Sequence, residues 1–146
     1  MTGILVDTNL LVYTVDPGES TKREQAIAAV DRLGLTGRGC LSVQSMSEFA
    51  NAVLRRRLLS AAEADDYVGE LTGKWKIFDL TPTVVREALR GVREHRMNIW
   101  DAQIWAVARL HGVETVLSED FQDGMRVEGV RFVNPFQRAF DLEALL

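Results

Sequence analysis

Four acids, Asp7, Glu48, Asp101 and Asp120, stand at the edge of, or inside, stretches that otherwise read as buried core. Asp7 closes the apolar run Ile4-Leu5-Val6, Asp101 interrupts the apolar face of a helix, and Asp120 follows Thr115-Val116-Leu117. A desolvated carboxylate is costly unless something compensates its charge. Two carboxylates about 4 Å apart repel by roughly 4 kcal/mol at an effective dielectric of about 20. Four acids of this kind in one small chain therefore point to a shared cation. Mg²⁺ or Mn²⁺ fits best, because hard cations prefer carboxylate oxygens and retained water. Zinc is not indicated: the two histidines, His95 and His111, have no ligand-like spacing, and Cys40 is the single cysteine. An acidic metal site that keeps water suits phosphate esters, since the metal neutralises phosphate oxygens, activates a water and stabilises the leaving oxygen. No glycine-rich phosphate loop is present, so no nucleotide cofactor is expected.

Each acid also has a plainer reading. Asp7 in Asp7-Thr8-Asn9 equally suits an N-cap for Leu10 to Thr14. Asp101 shares a helical face with Met97, Ile104, Trp105 and Ala108. The helix dipole explains an acid in the first turn but not one that points inward. Glu48 lies beside the stripe of Phe49, Val53 and Leu54, where a solvated glutamate fits as well. In Ser118-Glu119-Asp120-Phe121-Gln122-Asp123-Gly124, turn chemistry alone favours acids. Ser118, Asp120 and Asp123 are the candidates to face a pocket there, with Glu119 expected toward solvent.

These acids need a scaffold that joins distant segments. Strands are expected at Gly3 to Val6, Cys40 to Val43, Lys76 to Leu80, Thr115 to Leu117 and Val130 to Val133. Helices are expected over Thr21 to Leu33 with Ser20 as cap, Gln44 to Leu58 capped from Ser42 or Ser45, and Ser60 to Thr72 with Ser60 and Glu63 as a capping box. Further helices follow from Pro82 to about His95, from the Asn98 cap to Leu110, and from Pro135 to Leu145. Gly34, Gly37 and Gly39 are expected to break the chain. Alternating strands and helices imply an α/β fold: a small parallel β-sheet of about four or five strands flanked by helices on both sides. Ligands bind beyond the carboxyl ends of such strands, where Asp7 and Asp120 fall.

The 146 residues suit one domain, 1–146, with 47% apolar and 26% charged residues. The net charge of −4 does not attract nucleic acid, so polyanion binding requires a local patch or metals that reverse the charge of an acidic pocket. A lone cysteine, read as a small buried hydrophobe, suits a reducing cytoplasm. No signal peptide or membrane-spanning run is expected.

The ordered set resembles a PIN domain of the VapC type: Asp-Thr-Asn after the first strand, Ser-Glu-Phe in a helix, Trp-Asp-Ala-Gln-Ile opening a helix, and Ser-Glu-Asp-Phe-Gln-Asp-Gly after a later strand. The resemblance covers nearly the whole chain. It implies a metal-dependent endoribonuclease acting as the toxin of a toxin–antitoxin pair, with Asp7, Glu48, Asp101 and Asp120 around one or two Mg²⁺ or Mn²⁺ ions. It also implies support from Ser118 and Asn9, with Asp123 an additional or alternative ligand. A homodimer and an inhibitory antitoxin partner are further implications. The contrasting reading is a non-catalytic module of the same fold that binds RNA or protein.

An acidic nuclease site needs cations nearby to hold the substrate backbone. Arg86, Arg90 and Arg93 recur at helical spacing, and Arg55-Arg56-Arg57 end another helix. Most are expected on solvated faces, with Glu87 and Glu94 pairing Arg90. Arg96, closest in sequence to Asp101, is the candidate RNA contact. Trp100 and Trp105 can stack bases, but tryptophans at helical spacing are more often core or dimer interface.

Overall fold

A computed structural model describes residues 3–146. The chain begins with strand β1 (Ile4–Val6), helix α1 (Thr8–Tyr13), helix α2 (Ser20–Thr36) and strand β2 (Gly39–Ser42). Helices α3 (Val43–Arg55) and α4 (Ala61–Lys74), strand β3 (Lys76–Phe78), and helices α5 (Pro82–His95) and α6 (Ile99–Leu110) follow. Strands β4 (Thr115–Leu117), β5 (Arg126–Val127) and β6 (Val130–Val133) and a 3-10 turn at Glu143–Leu145 complete the order.

The strands form one sheet in the order β3-β2-β1-β4-β6-β5. All neighbours run parallel except β5 and β6. The sheet therefore has six strands, one more than the upper expectation, and its last pair is an antiparallel hairpin. Glu128 and Gly129, both at positive φ, make the two-residue turn of that hairpin. From β1 the chain winds outward through β2 to β3, then returns to place β4 on the other side of β1. This reversal makes the carboxyl ends of β1 and β4 the natural crevice of the sheet.

The period-two alternation of short strands divides the core. Ile4, Val6, Leu41 and Leu117 face α1 to α4 and pack with Leu10, Leu33, Phe49 and Leu71. Leu5, Cys40, Val116 and Phe132 face α5 and α6 and pack with Val84, Ala88, Trp105 and Val107. Cys40 is buried, as its strand context implies.

Caps set the helix starts. Ser42 caps α3 through Ser45 N, Thr81 caps α5 ahead of Pro82, and Asn98 caps α6. Ser60 and Glu63 form the expected capping box of α4. Helix α2 departs from expectation at both ends. Ser20 is its first residue rather than its cap, and the helix continues past Gly34 until Gly37, at φ 70°, ends it. Gly39 belongs to β2, where a Cβ would lie 2.6 Å from the Trp75 ring. Helix α3 stops at Arg55 and β3 at Phe78, short of the expected Leu58 and Leu80.

The expected helix from Pro135 to Leu145 is absent. That segment is a chain of turns ending in the 3-10 turn, and Asn134 Oδ1 accepts from Phe136 N at 2.9 Å. Phe136, Phe140, Leu142 and Leu145 still pack against the first core face. Apolar spacing that suggests a helix is thus satisfied by turns. No helix among the described residues is long and apolar enough to cross a membrane.

Candidate active site

Strand β1 ends one residue before Asp7, whose extended backbone caps α1 and whose Oδ1 accepts from Thr8 N at 2.8 Å. The capping use and an inward placement therefore coexist. The other oxygen, Oδ2, accepts from Ser118 Oγ at 2.8 Å, directly after β4. The parallel pairing of Val6 with Leu117 makes these two strand ends neighbours across more than a hundred residues of chain.

Asn9 holds the next acid. Its Nδ2 lies 3.1 Å from Ser118 Oγ, 3.1 Å from Asp120 Oδ2 and 3.5 Å from Asp7 Oδ2. Glu119 N donates to Asn9 Oδ1 at 3.4 Å, which turns the amide nitrogen toward the carboxylates. The Asp120 backbone N–H also donates to Ser118 Oγ at 3.1 Å. One hydroxyl and one amide thus fix two acids from opposite ends of the chain.

Glu48 comes from α3. Its Oε2 accepts from Thr8 Oγ1 and its Oε1 from Gln44 Nε2, both at 2.9 Å. Gln44 is itself held: its Oε1 accepts from the buried Gln103 at 2.6 Å, and its Nε2 also donates to the Trp100 carbonyl at 3.2 Å. Asp101 enters from the first turn of α6, where Asn98 Nδ2 donates to its Oδ2 at 2.7 Å. The Oδ1 atoms of Asp101 and Asp120 accept no hydrogen bond among the described residues.

These side chains surround a cavity of about 330 Å³, lined by Asp7, Glu48, Asp101 and Asp120 together with Thr8, Gln44, Asn98, Trp100 and Ile104. Four carboxylates face it and no Lys or Arg does. The electrostatic consequence is clear at Asp7. Burial pushes its carboxyl up to about 6, and the charges of Asp120 and Glu48 add to this against the opposing hydrogen bonds from Ser118 and Thr8. Asp101 is raised for the same first reason, burial, with Asp120 and Glu48 again contributing. An all-oxygen set of acids lining one cavity with no internal cation suits a hard divalent ion better than zinc.

A second cluster shows what internal neutralisation looks like. Among the described residues, Glu94, His95 and Glu128 are the set of three whose ligand-type atoms lie within 4.8 Å of one another, a closer approach than the four cavity acids make. There Arg90 supplies the positive charge, with Nη1 2.7 Å from Glu94 and 2.9 Å from Glu128. A larger groove of about 690 Å³ between α2 and α4 is lined by Ile27, Leu35, Tyr67 and Trp75 among others, and shares no lining residue with the acidic cavity.

Two loop expectations change. Asp123 does not line the cavity: its Oδ1 accepts from Asn134 N at 2.8 Å and ties the loop to the end of β6. Glu119 is half-buried rather than turned out to solvent; it accepts from the Tyr13 hydroxyl and pairs with Lys22 at 3.0 Å. Arg96 is exposed, sits in left-handed backbone at φ 57°, and makes no ion pair among the described residues. Arg90 is paired with Glu87 and Glu94 as expected. The two tryptophans part company: Trp105 is fully buried, whereas Trp100 is 62% exposed. Sequence reading missed Thr8, Gln44, Gln103 and Asn98 as supports of the acids. Two were accessible from spacing, Gln44 four residues before Glu48 and Asn98 three before Asp101.

A family model described as PIN domain matches residues 4–122. No curated protein sequence matches the chain. Solved structures do so at low identity. One is a chain of a toxin–antitoxin complex from Klebsiella pneumoniae, with TM-score 0.67 and 18% identity over 92% of this chain and 99% of that one. Another is VapC20 of Mycobacterium tuberculosis, described as a sarcin-ricin loop cleaving toxin, with TM-score 0.63 and 19% identity over 78% and 87% of the two chains. A third comes from a DNA-bound VapBC of Salmonella typhimurium, with TM-score 0.63 and 17% identity over 90% and 97%. At such identities the likeness concerns the fold.

Proposed function

This chain belongs to the PIN domain family, and from that premise we propose that it is a metal-dependent endoribonuclease hydrolysing RNA phosphodiester bonds, with Asp7, Glu48, Asp101 and Asp120 around one or two Mg²⁺ or Mn²⁺ ions. The observation that carries this reading is the cavity itself, which gathers four carboxylates and no cationic side chain. Bound divalent ions would neutralise the phosphate oxygens, lower the pKa of an attacking water and stabilise the leaving oxygen.

The chain's own residues do the positioning. Ser118 and Thr8 N fix both oxygens of Asp7, leaving their remaining lone pairs for the cavity. Thr8 and Gln44 fix Glu48, and Asn98 and Asn9 each hold one oxygen of Asp101 and Asp120 while leaving the other uncommitted. Arg96, exposed and without an ion-pair partner among the described residues, is assigned to the RNA backbone.

The same reading makes the chain a single-domain cytoplasmic toxin of a type II toxin–antitoxin pair, active as a homodimer and inhibited by an antitoxin protein. Its support is the likeness to chains crystallised in toxin–antitoxin complexes.

The test is cleavage of single-stranded RNA in Mg²⁺ or Mn²⁺, with chelation and with Asp7→Asn or Asp101→Asn. Cleavage should disappear under chelation and fall by at least about a hundred-fold in either variant, since each removes charge from the metal set. Cleavage that survives chelation and both substitutions would refute the proposal.

A further inference from the structure

Trp100 stands immediately before Asp101, lines the cavity that the four acids surround, and is 62% exposed. A large indole in water is an observation that asks for a ligand, whereas a scattered exposed leucine does not. The contrast within α6 is sharp. Trp105 is fully buried, its indole N–H donates to the Val127 carbonyl at 3.1 Å, and its ring carries Arg90 at 5.3 Å. Trp100 belongs to neither core cluster, and its ring has no stacking or cation–π partner among the described residues.

The residue is nevertheless firmly placed. Its carbonyl accepts from Gln44, which is braced by Gln103 and also holds Glu48. Asn98 caps the same helical turn and holds Asp101. The residues that position two acids therefore also position the indole's backbone. Trp100 and Asp101 line the same cavity, so a nucleotide whose phosphate reaches the acids has its base within reach of the ring.

We propose that Trp100 is a stacking platform for an unpaired nucleobase beside the scissile phosphate, and that it makes this site select single-stranded RNA. The proposal rests on the ribonuclease reading above. The surroundings favour a nucleotide over an apolar protein segment: apart from Trp100 and Ile104 the cavity lining is polar, and its four carboxylates suit a phosphate that arrives with a divalent ion. Stacking on an indole face needs no base-specific hydrogen bond, so the preference concerns unpaired bases rather than one base. Duplex RNA keeps its bases stacked on each other and cannot offer one.

The experiment compares the full chain with Trp100→Ala and Trp100→Phe in steady-state cleavage of one oligoribonucleotide, free and annealed to its complement. For Trp100→Ala the KM on free RNA should rise on the order of ten-fold with kcat little changed. Trp100→Phe should recover most of the loss, and the preference for free over annealed RNA should shrink in the alanine variant. AMP with Mg²⁺, which has no diester to cut, should quench tryptophan emission in the parent chain and not in Trp100→Ala, because Trp75 and Trp105 are buried. An unchanged KM in an alanine variant that still cleaves RNA overturns this proposal and leaves the ribonuclease reading standing. An unchanged KM with a changed mass in light scattering overturns it in favour of a protein contact at Trp100. Absence of cleavage by the parent chain removes both.

Discussion

Asp7 carries the site's conflict in its most concentrated form. It is 6% exposed and surrounded by acids, and its carboxyl is pushed up to about 6 from an ordinary 3.8. A carboxyl raised in the folded state favours the protonated form there. Below pH 4 both folded and unfolded chains hold the proton and there is no penalty. Above pH 6 both are ionised, and the folded state bears the full cost. Stability of the metal-free protein should therefore fall as pH rises from about 4 to about 6, by at most about 3 kcal/mol for this group. Urea denaturation at a series of pH values in the presence of chelator checks it. Asp7→Asn should flatten that slope and make the metal-free protein more stable at neutral pH while abolishing cleavage. A variant less stable than the parent would argue that the charge is already neutralised within the chain. At this scale Asp7, Asp101 and Asp120 stood out beside apolar runs, whereas the pattern around Glu48 suited a solvated glutamate as well, and the structure places all four at one cavity. Their supports were less readable, because Thr8 and Gln103 are ordinary residues until the fold brings them to Glu48 and Gln44.

At the scale of elements, the site depends on how tightly α5, α6 and the sheet are packed. Gly91 of α5 lets this helix approach α6, since a Cβ there would lie 2.8 Å from the buried Trp105 ring. The better helix propensity of alanine offers up to about 1 kcal/mol, but overpacking costs about 1–3 kcal/mol. Gly91→Ala should thus lower stability by about 1–2 kcal/mol, read as a lower denaturation midpoint with an unchanged slope. The loop after α1 is pinned differently. Arg56, just beyond α3, donates to the buried Asp16 at 2.7 Å, while its own side chain is 44% exposed. Arg56→Ala should lower the thermal midpoint, with a stability loss of about 1–2 kcal/mol, because Asp16 is left buried without its cation. Asp16→Asn with Arg56→Ala should recover part of the loss.

Element boundaries were readable where a cap fixed them, as at Ser60, Thr81 and Asn98. They were not where tertiary packing decided. Helix α2 runs through Gly34, which a local reading takes as a break, and the two-residue β5 is defined by the pairing of Arg126 and Val127 with Arg131 and Val130. Past Pro135, apolar residues cover the core from a chain of turns, with no helix needed.

For the molecule as a whole, the strand order does the assembling. Acids at positions 7 and 120 meet because β1 and β4 are neighbours at the reversal of the winding, and α3 and α6 bring Glu48 and Asp101 to the same edge. The sequence pattern supported parallel pairing and hence a shared edge, but it did not reveal which strands were adjacent. Because the protein's net charge is −4, the proposed RNA substrate requires a locally positive patch or bound metal ions. Arg96→Ala should weaken RNA binding at low salt by several-fold and reduce the salt slope by about one. A filter-binding series in Ca²⁺ or at chilled temperature, read against ionic strength, checks this, and an unchanged slope would place the backbone contact elsewhere.

The most direct test of the shared acidic site is a calorimetric titration of the metal-free chain with Mn²⁺ at neutral pH. Saturable uptake of one or two ions with release of protons is expected, lost in Asp7→Asn and in Asp101→Asn, together with a rise in the melting temperature of the parent chain. No heat and no thermal shift at millimolar metal would contradict the account, because four uncompensated carboxylates facing one cavity would then have no counter-ion.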